Sequence, residues 1–320
     1  NRGLDFGQGF FVLYALILLP QFFNKYSMST YKHFGKQPDV LKHLVLCEIL
    51  QNEKPSTYVE TNSACAIYQM EHTPEQQYGI YHFLERANDE NGLKDSMYYK
   101  LEKSEMLKGN YLGSPGLAMN VLKGVNDFIF FDIEKSALDN VSSYAGQIKI
   151  HSDVRLLNMD SLNGMIDLLP TLPKSTFIHI DPYEIDKKGA SDLTYLDIFV
   201  KATQSGMKSL LWYGFMTNQD KGRINQYVIR SLQQENIKNY TCVELIMKSI
   251  KENTVSCNPG VLGSGILAAN LSQKSHNMIL DYSRKLVELY KNAKYNGYDG
   301  SLFKDIVKNV SRRNSFKFRL

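Results

Sequence analysis

Four short and almost continuously apolar segments constrain the fold of this chain more than any other feature: DFIFFDIE (Asp127 to Glu134), VRLLNMD (Val154 to Asp160), TFIHID (Thr176 to Asp181) and KSLLWYGFM (Lys208 to Met216). Each is of strand length, rich in β-branched and aromatic residues, and followed by a stretch whose apolar residues recur at helical spacing. Strands apolar on both sides, joined through helices, predict a mostly parallel sheet with helices on both faces. An earlier strand, TYVET (Thr57 to Thr61), follows a helix that opens at Pro38 and Asp39 and places Leu41, Leu44, Val45 and Ile49 on one side. Two late strands, YTCVELIM and GILAANL, have little helical sequence between them and predict an antiparallel edge. Residues 71–110 are polar, tyrosine-rich and helix-prone, and read as an inserted helical subdomain.

A chain of 320 residues with 43% hydrophobic content is long enough to bury a sizeable core. Its net charge of +4 permits a polyanionic partner without requiring one. Cys47, Cys65, Cys242 and Cys257 are scattered, without the paired spacing of a zinc site or a disulfide framework, so no metal is expected and a reducing cytoplasm is the expected setting. The run Phe10 to Leu19, closed by Pro20, would extend about 15 Å as a helix, against roughly 30 Å of bilayer core. Residues 1–27 therefore read as an apolar extension, with no membrane span, and Met28 as a plausible start. Residues 273–320 read as a helix and a basic tail, in which Lys304, Lys308, Arg312, Arg313, Lys317 and Arg319 surround Phe316 and Phe318.

In open α/β sheets the ligand crevice lies beyond the carboxyl ends of the strands, so the residues that end each strand are the candidates for chemistry. Asp132, at the end of the second strand, is placed to accept both hydroxyls of a ribose. Asp160, one strand later and followed by Ser161, is placed to accept from an adenine amino group. The fourth strand ends in Asp181, Pro182 and Tyr183, a turn that presents a carboxylate and a carbonyl to an exocyclic amine while the ring stacks on the base. The lone pair of adenine N6 is delocalised into the ring, so accepting its protons helps that nitrogen attack an electrophilic methyl group.

These segments, taken in order, resemble the RlmJ-type 23S rRNA adenine-N6 methyltransferases, a family also described as proteins for catabolism of external DNA. The resemblance starts at MSTYKH (Met28 to His33) and continues through DVLKH, YVETNSACAIYQ, GSP, FFDIE, NMDS, IDPYE, LLWY and GSGILAAN, ending near Asn270. It implies a Rossmann-like class I methyltransferase domain over 28–70 and 111–272, S-adenosylmethionine as cofactor, and a 23S rRNA substrate that is protein-free or partly assembled. It also implies a cytoplasmic monomer. Carried over by position, His43, Asn62, Ser114, Asp132, Asp160, Ser161 and Asp181 fall at cofactor-contacting places, Asp181 also at the catalytic carboxylate, and Tyr31 at a substrate contact. Asn62 stands where the family has a histidine, Cys65 lies within its small-residue loop, and Ala66 replaces a glycine. The family's Asp-Pro-Pro-Tyr is here Asp181-Pro182-Tyr183-Glu184. These changes bear on activity more than on fold, and leave a cofactor- or nucleic-acid-binding homologue without catalysis as the alternative expectation.

Overall fold

The computed structural model describes residues 31–90, 92–123, 127–247, 263–295, 298–299 and 302–309. The apolar run at Phe10 to Leu19, Met28 and the last eleven residues lie outside the described residues, so the readings placed on them do too.

The main sheet contains β1 (Thr57–Glu60), β2 (Asp127–Asp132), β3 (Val154–Asn158), β4 (Thr176–Ile180), β5 (Lys208–Phe215), β6 (Tyr240–Met247), β7 (Gly263–Ala269) and β8 (Leu302–Asn309). Their order across the sheet is β8-β6-β7-β5-β4-β1-β2-β3. The five strands from β1 to β5 pair in parallel, whereas β7 is antiparallel to both β5 and β6, and β8 is antiparallel to β6. This is a Rossmann-like, mostly parallel sheet with the antiparallel strands at one end. The basic segment read as tail differs from expectation: Leu302–Asn309 is an edge strand of the main sheet. Its apolar residues come in pairs, Leu302-Phe303 and Ile306-Val307, separated by polar and charged ones, so the sequence lacks the strict alternation that marks a strand.

Alternation along the strands builds two cores, because successive side chains leave a strand on opposite faces. Tyr58, Phe128, Phe130, Phe177, Leu210 and Trp212 enter one cluster, and their neighbours Val59, Ile129, Phe131, Ile178, Leu211 and Tyr213 the other. The first face is covered by α1 (Gln37–Glu53), α2 (Met97–Met106), α3 (Ser114–Val121), α4 (Lys135–Gln147) and a C-terminal helix, Gln273–Leu289. The second is covered by α5 (Ser161–Leu168), α6 (Tyr195–Gln204) and α7 (Asn218–Gln234). Burying each of the phenylalanines on these faces contributes about 1.5–3 kcal/mol, so the two cores fix the sheet and with it the positions of the strand ends.

Helix α1 is buried from Gln37 to Leu50 rather than along a single stripe. Pro38 occupies its first turn, Asp39 Oδ2 accepts from the Lys36 backbone N–H at 3.2 Å, and Lys54, at φ 42°, ends it before Pro55. The Asp39–Lys36 contact supplies the cap that a lysine cannot provide from its own side chain. Residues 71–110 contain α2 and shorter helical turns at Pro74–Gln76, Gln77–Tyr81 and His82–Arg86, and the segment is clamped at its base by a two-stranded pairing of Ile67–Gln69 with Asn110–Leu112. Among the described residues it builds no separate core. Its Phe83, Tyr98, Tyr99 and the adjoining Tyr111 pack into the same cluster as Leu44 and Val45 of α1.

Candidate active site

The strand order reverses between β1 and β4, one running on to β2 and β3 and the other to β5, and a crevice must open where the chains leave in opposite directions. A cavity of about 590 Å³ lies there. Tyr31, His43, Asn62, Ser114, Asp132, Asp160, Ser161, Asp181, Pro182 and Tyr183, the residues singled out in the sequence, all line it.

The loop after β1 forms its floor. Thr61 N–H donates to the His179 carbonyl at 3.1 Å and Ser63 N–H to that of Phe131 at 3.0 Å, so the loop stays laced to both neighbouring strands. Ala64 then takes φ 51°, in the left-handed region that favours glycine, and aims its N–H at Asp132 Oδ2, 2.8 Å away. The sequence comparison drew attention to Ala66, but the backbone strain falls on Ala64. Holding an alanine there costs about 1–2 kcal/mol. Gly113 seats the loop from above, since a Cβ on it would come within 2.0 Å of the Cys65 carbonyl oxygen. That approach brings Ser114, at the start of α3, onto Glu60 Oε1.

Asp132 is held by three donors: Ala64 N–H on Oδ2, and on Oδ1 the N–H of Glu134 at 2.7 Å and the Tyr31 hydroxyl at 2.9 Å. Burial, with the Asp132 carboxylate next, raises the Tyr31 phenol well above its ordinary value, so it remains a neutral donor. Tyr31, which the resemblance assigns to substrate contact, thus rests on the carboxylate expected to take a ribose. Asp160 caps α5, its Oδ1 accepting from Leu162 N–H at 2.9 Å, and also lines the cavity. Asn62 donates to the Tyr195 hydroxyl at 3.0 Å, and Ser161 Oγ lies 3.2 Å from that same hydroxyl. Tyr195, from the first turn of α6, thereby joins the ends of β1 and β3. His43 is buried against the Tyr111 hydroxyl at 2.9 Å; burial first, then the charge of Lys42, push its imidazole well below the ordinary value, so it is neutral.

Asp181 has a partner that the sequence did not suggest. Lys42 Nζ, one helix position before His43, lies 2.6 Å from Asp181 Oδ2, 3.4 Å from Asp39 and 5.1 Å from the centre of the Trp212 ring. Only a tenth of the Asp181 side chain is exposed, and its Oδ1 is buried without a hydrogen-bond partner. Burial raises the Asp181 carboxyl and Lys42 opposes it; burial also acts against the Lys42 ammonium, but Asp181 and Asp39 outweigh this and hold Lys42 above its ordinary value. Lys42 is therefore a fixed cation, aligned with Asp39 one helical turn earlier; that spacing was the only signal of it in the sequence. Beyond Asp181, Pro182 is buried while Tyr183 is 46% exposed at the mouth, its ring lying over Gly214. Glu184 points outward, 60% exposed, toward Lys187.

No family model matches the chain. Ribosomal RNA large subunit methyltransferase J of Haemophilus influenzae is 26% identical over 259 residues, covering 74% of this chain and 84% of its own. A Legionella pneumophila protein placed in the family DUF519 shares the fold at a TM-score of 0.68 and 20% identity, covering 88% of this chain and 99% of that one. By sequence over most of both lengths, the chain is a relative of ribosomal RNA large subunit methyltransferase J, and its fold is that of a class I, Rossmann-type methyltransferase.

Proposed function

We propose that the chain is an S-adenosylmethionine-dependent methyltransferase that methylates N6 of an adenine in large-subunit rRNA. The observation that carries this reading is the convergence of Asp132, Asp160 and Asp181, from the ends of three different strands, on one cavity at the reversal of strand order. A volume of about 590 Å³ falls in the range of pockets for ligands of this size. The residues fit the cofactor: Asp132 for the ribose hydroxyls, Asp160 for the adenine amine, and the neutral His43 and the Asn62 amide among the groups nearer Asp181. S-adenosylmethionine, when bound, supplies an electrophilic methyl group on a sulfonium.

The chain's own residues supply positioning and proton acceptance. Asp181, oriented by Lys42, accepts the protons of N6 and makes its lone pair available, and the half-exposed Tyr183 ring is the stacking surface for the base. With Asp132 held by three donors, the ribose site is organised before binding, apart from the Tyr31 hydroxyl that must be shared or displaced.

The test is calorimetry with S-adenosylmethionine followed by methyl transfer to protein-free 23S rRNA. Micromolar binding, transfer to adenine N6, and loss of transfer in Asp181→Ala are expected. Absence of cofactor binding, or transfer that survives in Asp181→Ala, overturns the proposal.

A further inference from the structure

Beneath Asp181 lies a buried pair of titratable groups for which the proposed chemistry has no use so far. Glu60 ends β1 and His179 stands directly opposite it in the register of β4, both with side chains fully buried. His179 Nδ1 lies 3.1 Å from Glu60 Oε1. Glu60 also accepts from Ser114 on Oε1 and from the Tyr58 hydroxyl on Oε2 at 2.8 Å. The opposite side of the imidazole is unsatisfied: His179 Nε2 is buried without a hydrogen-bond partner, as is Asp181 Oδ1, two residues along the same strand face. Glu60, His179 and Asp181 each bring a nitrogen or carboxylate oxygen within 4.8 Å of the others.

Three such groups could in principle hold a metal ion. Both Glu60 oxygens are already engaged by hydroxyl donors, however, and the Lys42 ammonium occupies Asp181 Oδ2, so a divalent ion would meet a fixed cation. A proton adds one charge where a metal adds two, and an imidazole whose Nδ1–H is oriented by a carboxylate is the usual arrangement for accepting one at Nε2.

We propose that His179, oriented by Glu60, is the proton store behind Asp181, so that the proton released from the substrate amine passes inward rather than remaining on the carboxylate. The inference rests on the reading of the chain as an adenine-N6 methyltransferase. In the balanced step the N6 lone pair forms the bond to the methyl carbon, the sulfur–carbon bond breaks and its electron pair stays on sulfur. N6, now positive, gives one proton to Asp181, which passes it to His179 Nε2; Asp181 returns to a carboxylate paired with Lys42. The two residues offer atoms within 4.8 Å of one another, a span that a single water bridges. The imidazolium so formed is held by Glu60. The charged and titratable groups facing it are Glu60 and Tyr58 from β1, Asp181 from its own strand, and Lys42 and His43 from α1, while its neighbour on β5 is the apolar Leu210. His179 touches no substrate in this scheme and acts through Asp181.

The experiment has two arms, both on the full chain. In the first, imidazole 15N shifts are recorded for the wild type and Asp181→Asn without any ligand. His179 Nε2 is expected to be unprotonated at rest and to change its shift in Asp181→Asn; a protonated Nε2, or a shift indifferent to position 181, overturns the proposal. In the second, single-turnover methylation is followed against pH for the wild type and for His179→Asn, which keeps a donor toward Glu60, with His179→Gln as a second variant should the first fail to fold. A fall in kcat of about 10-fold or more is expected, with cofactor affinity unchanged and the acid limb moved to lower pH because only the carboxylate must then be unprotonated. A pH profile that superimposes on the wild type overturns the inference alone. A wild-type chain that transfers no methyl group overturns the parent reading, and the inference with it.

Discussion

Replacing Lys42 by methionine keeps an unbranched apolar side chain in the buried site and removes the ammonium, with its contacts to Asp181, Asp39 and the Trp212 ring. The charges of Lys42 and Asp181 approach to 2.6 Å, so at an effective dielectric of about 20 their mutual attraction is about 6 kcal/mol. Much of that is offset by the cost of burying both groups. Removing one partner of a buried pair nonetheless costs about 3–5 kcal/mol, because it leaves the other charge uncompensated. The sign with pH follows from Asp181. Burial already raises its carboxyl, and without Lys42 it rises further in the folded state, so the folded variant takes up a proton that the unfolded chain releases. The deficit relative to wild type is therefore small near the unfolded carboxylate value of about 3.9 and grows as pH rises through the folded value. Urea denaturation followed by circular dichroism at about pH 5 and about pH 8 reads this difference directly. A cycle with Asp181→Asn isolates the pair, and the double variant is expected to recover about 2 kcal/mol or more relative to additivity. A coupling below about 0.5 kcal/mol, or a deficit equal at both pH values, refutes the assignment of Lys42 and Asp181 as a buried ion pair.

Three further outcomes are expected. Ala64→Gly relieves the left-handed strain and stabilises the chain by up to about 1 kcal/mol net of glycine's own entropy cost, read as a rise in thermal midpoint; destabilisation would show that the loop does not hold φ 51°. Tyr31→Phe removes one of the two donors on Asp132 Oδ1, so calorimetry should show S-adenosylmethionine binding as tightly as in the wild type or a few-fold tighter, while the KM for RNA rises if the ring's hydroxyl also serves the substrate. Weaker cofactor binding would contradict the reading that this hydroxyl competes for the ribose carboxylate. Gly214→Ala places a Cβ 3.1 Å from the half-exposed Tyr183 ring, a contact that a shift of a few tenths of an ångström relieves; stability should change by less than about 0.5 kcal/mol while the KM for RNA rises, and an unaltered KM would remove Tyr183 as the stacking surface.

The sequence by itself determined the sheet. The runs at 57–61, 127–134, 176–181 and 208–216 carry enough consecutive apolar residues to read as buried strands, and 154–160, whose strand is half exposed, is marked by its place in the alternation with helices, so their identity and the residues at their carboxyl ends followed from local pattern. Asp132, Asp160 and Asp181 were legible for that reason. Tertiary structure alone decided which side chains face those ends from elsewhere. Lys42 meets Asp181 across 139 residues of chain, and Tyr31 meets Asp132 across 101, through packing of a helix and an entry segment whose local sequence is ordinary. Glu60 and His179 became a pair only through the parallel register of β1 and β4, since strand periodicity fixes the face on which a residue lies but not the partner opposite it. The same distinction explains the tail: nothing in the local pattern of Leu302–Asn309 marks a strand, and only pairing with the edge of β6 decides that it becomes one.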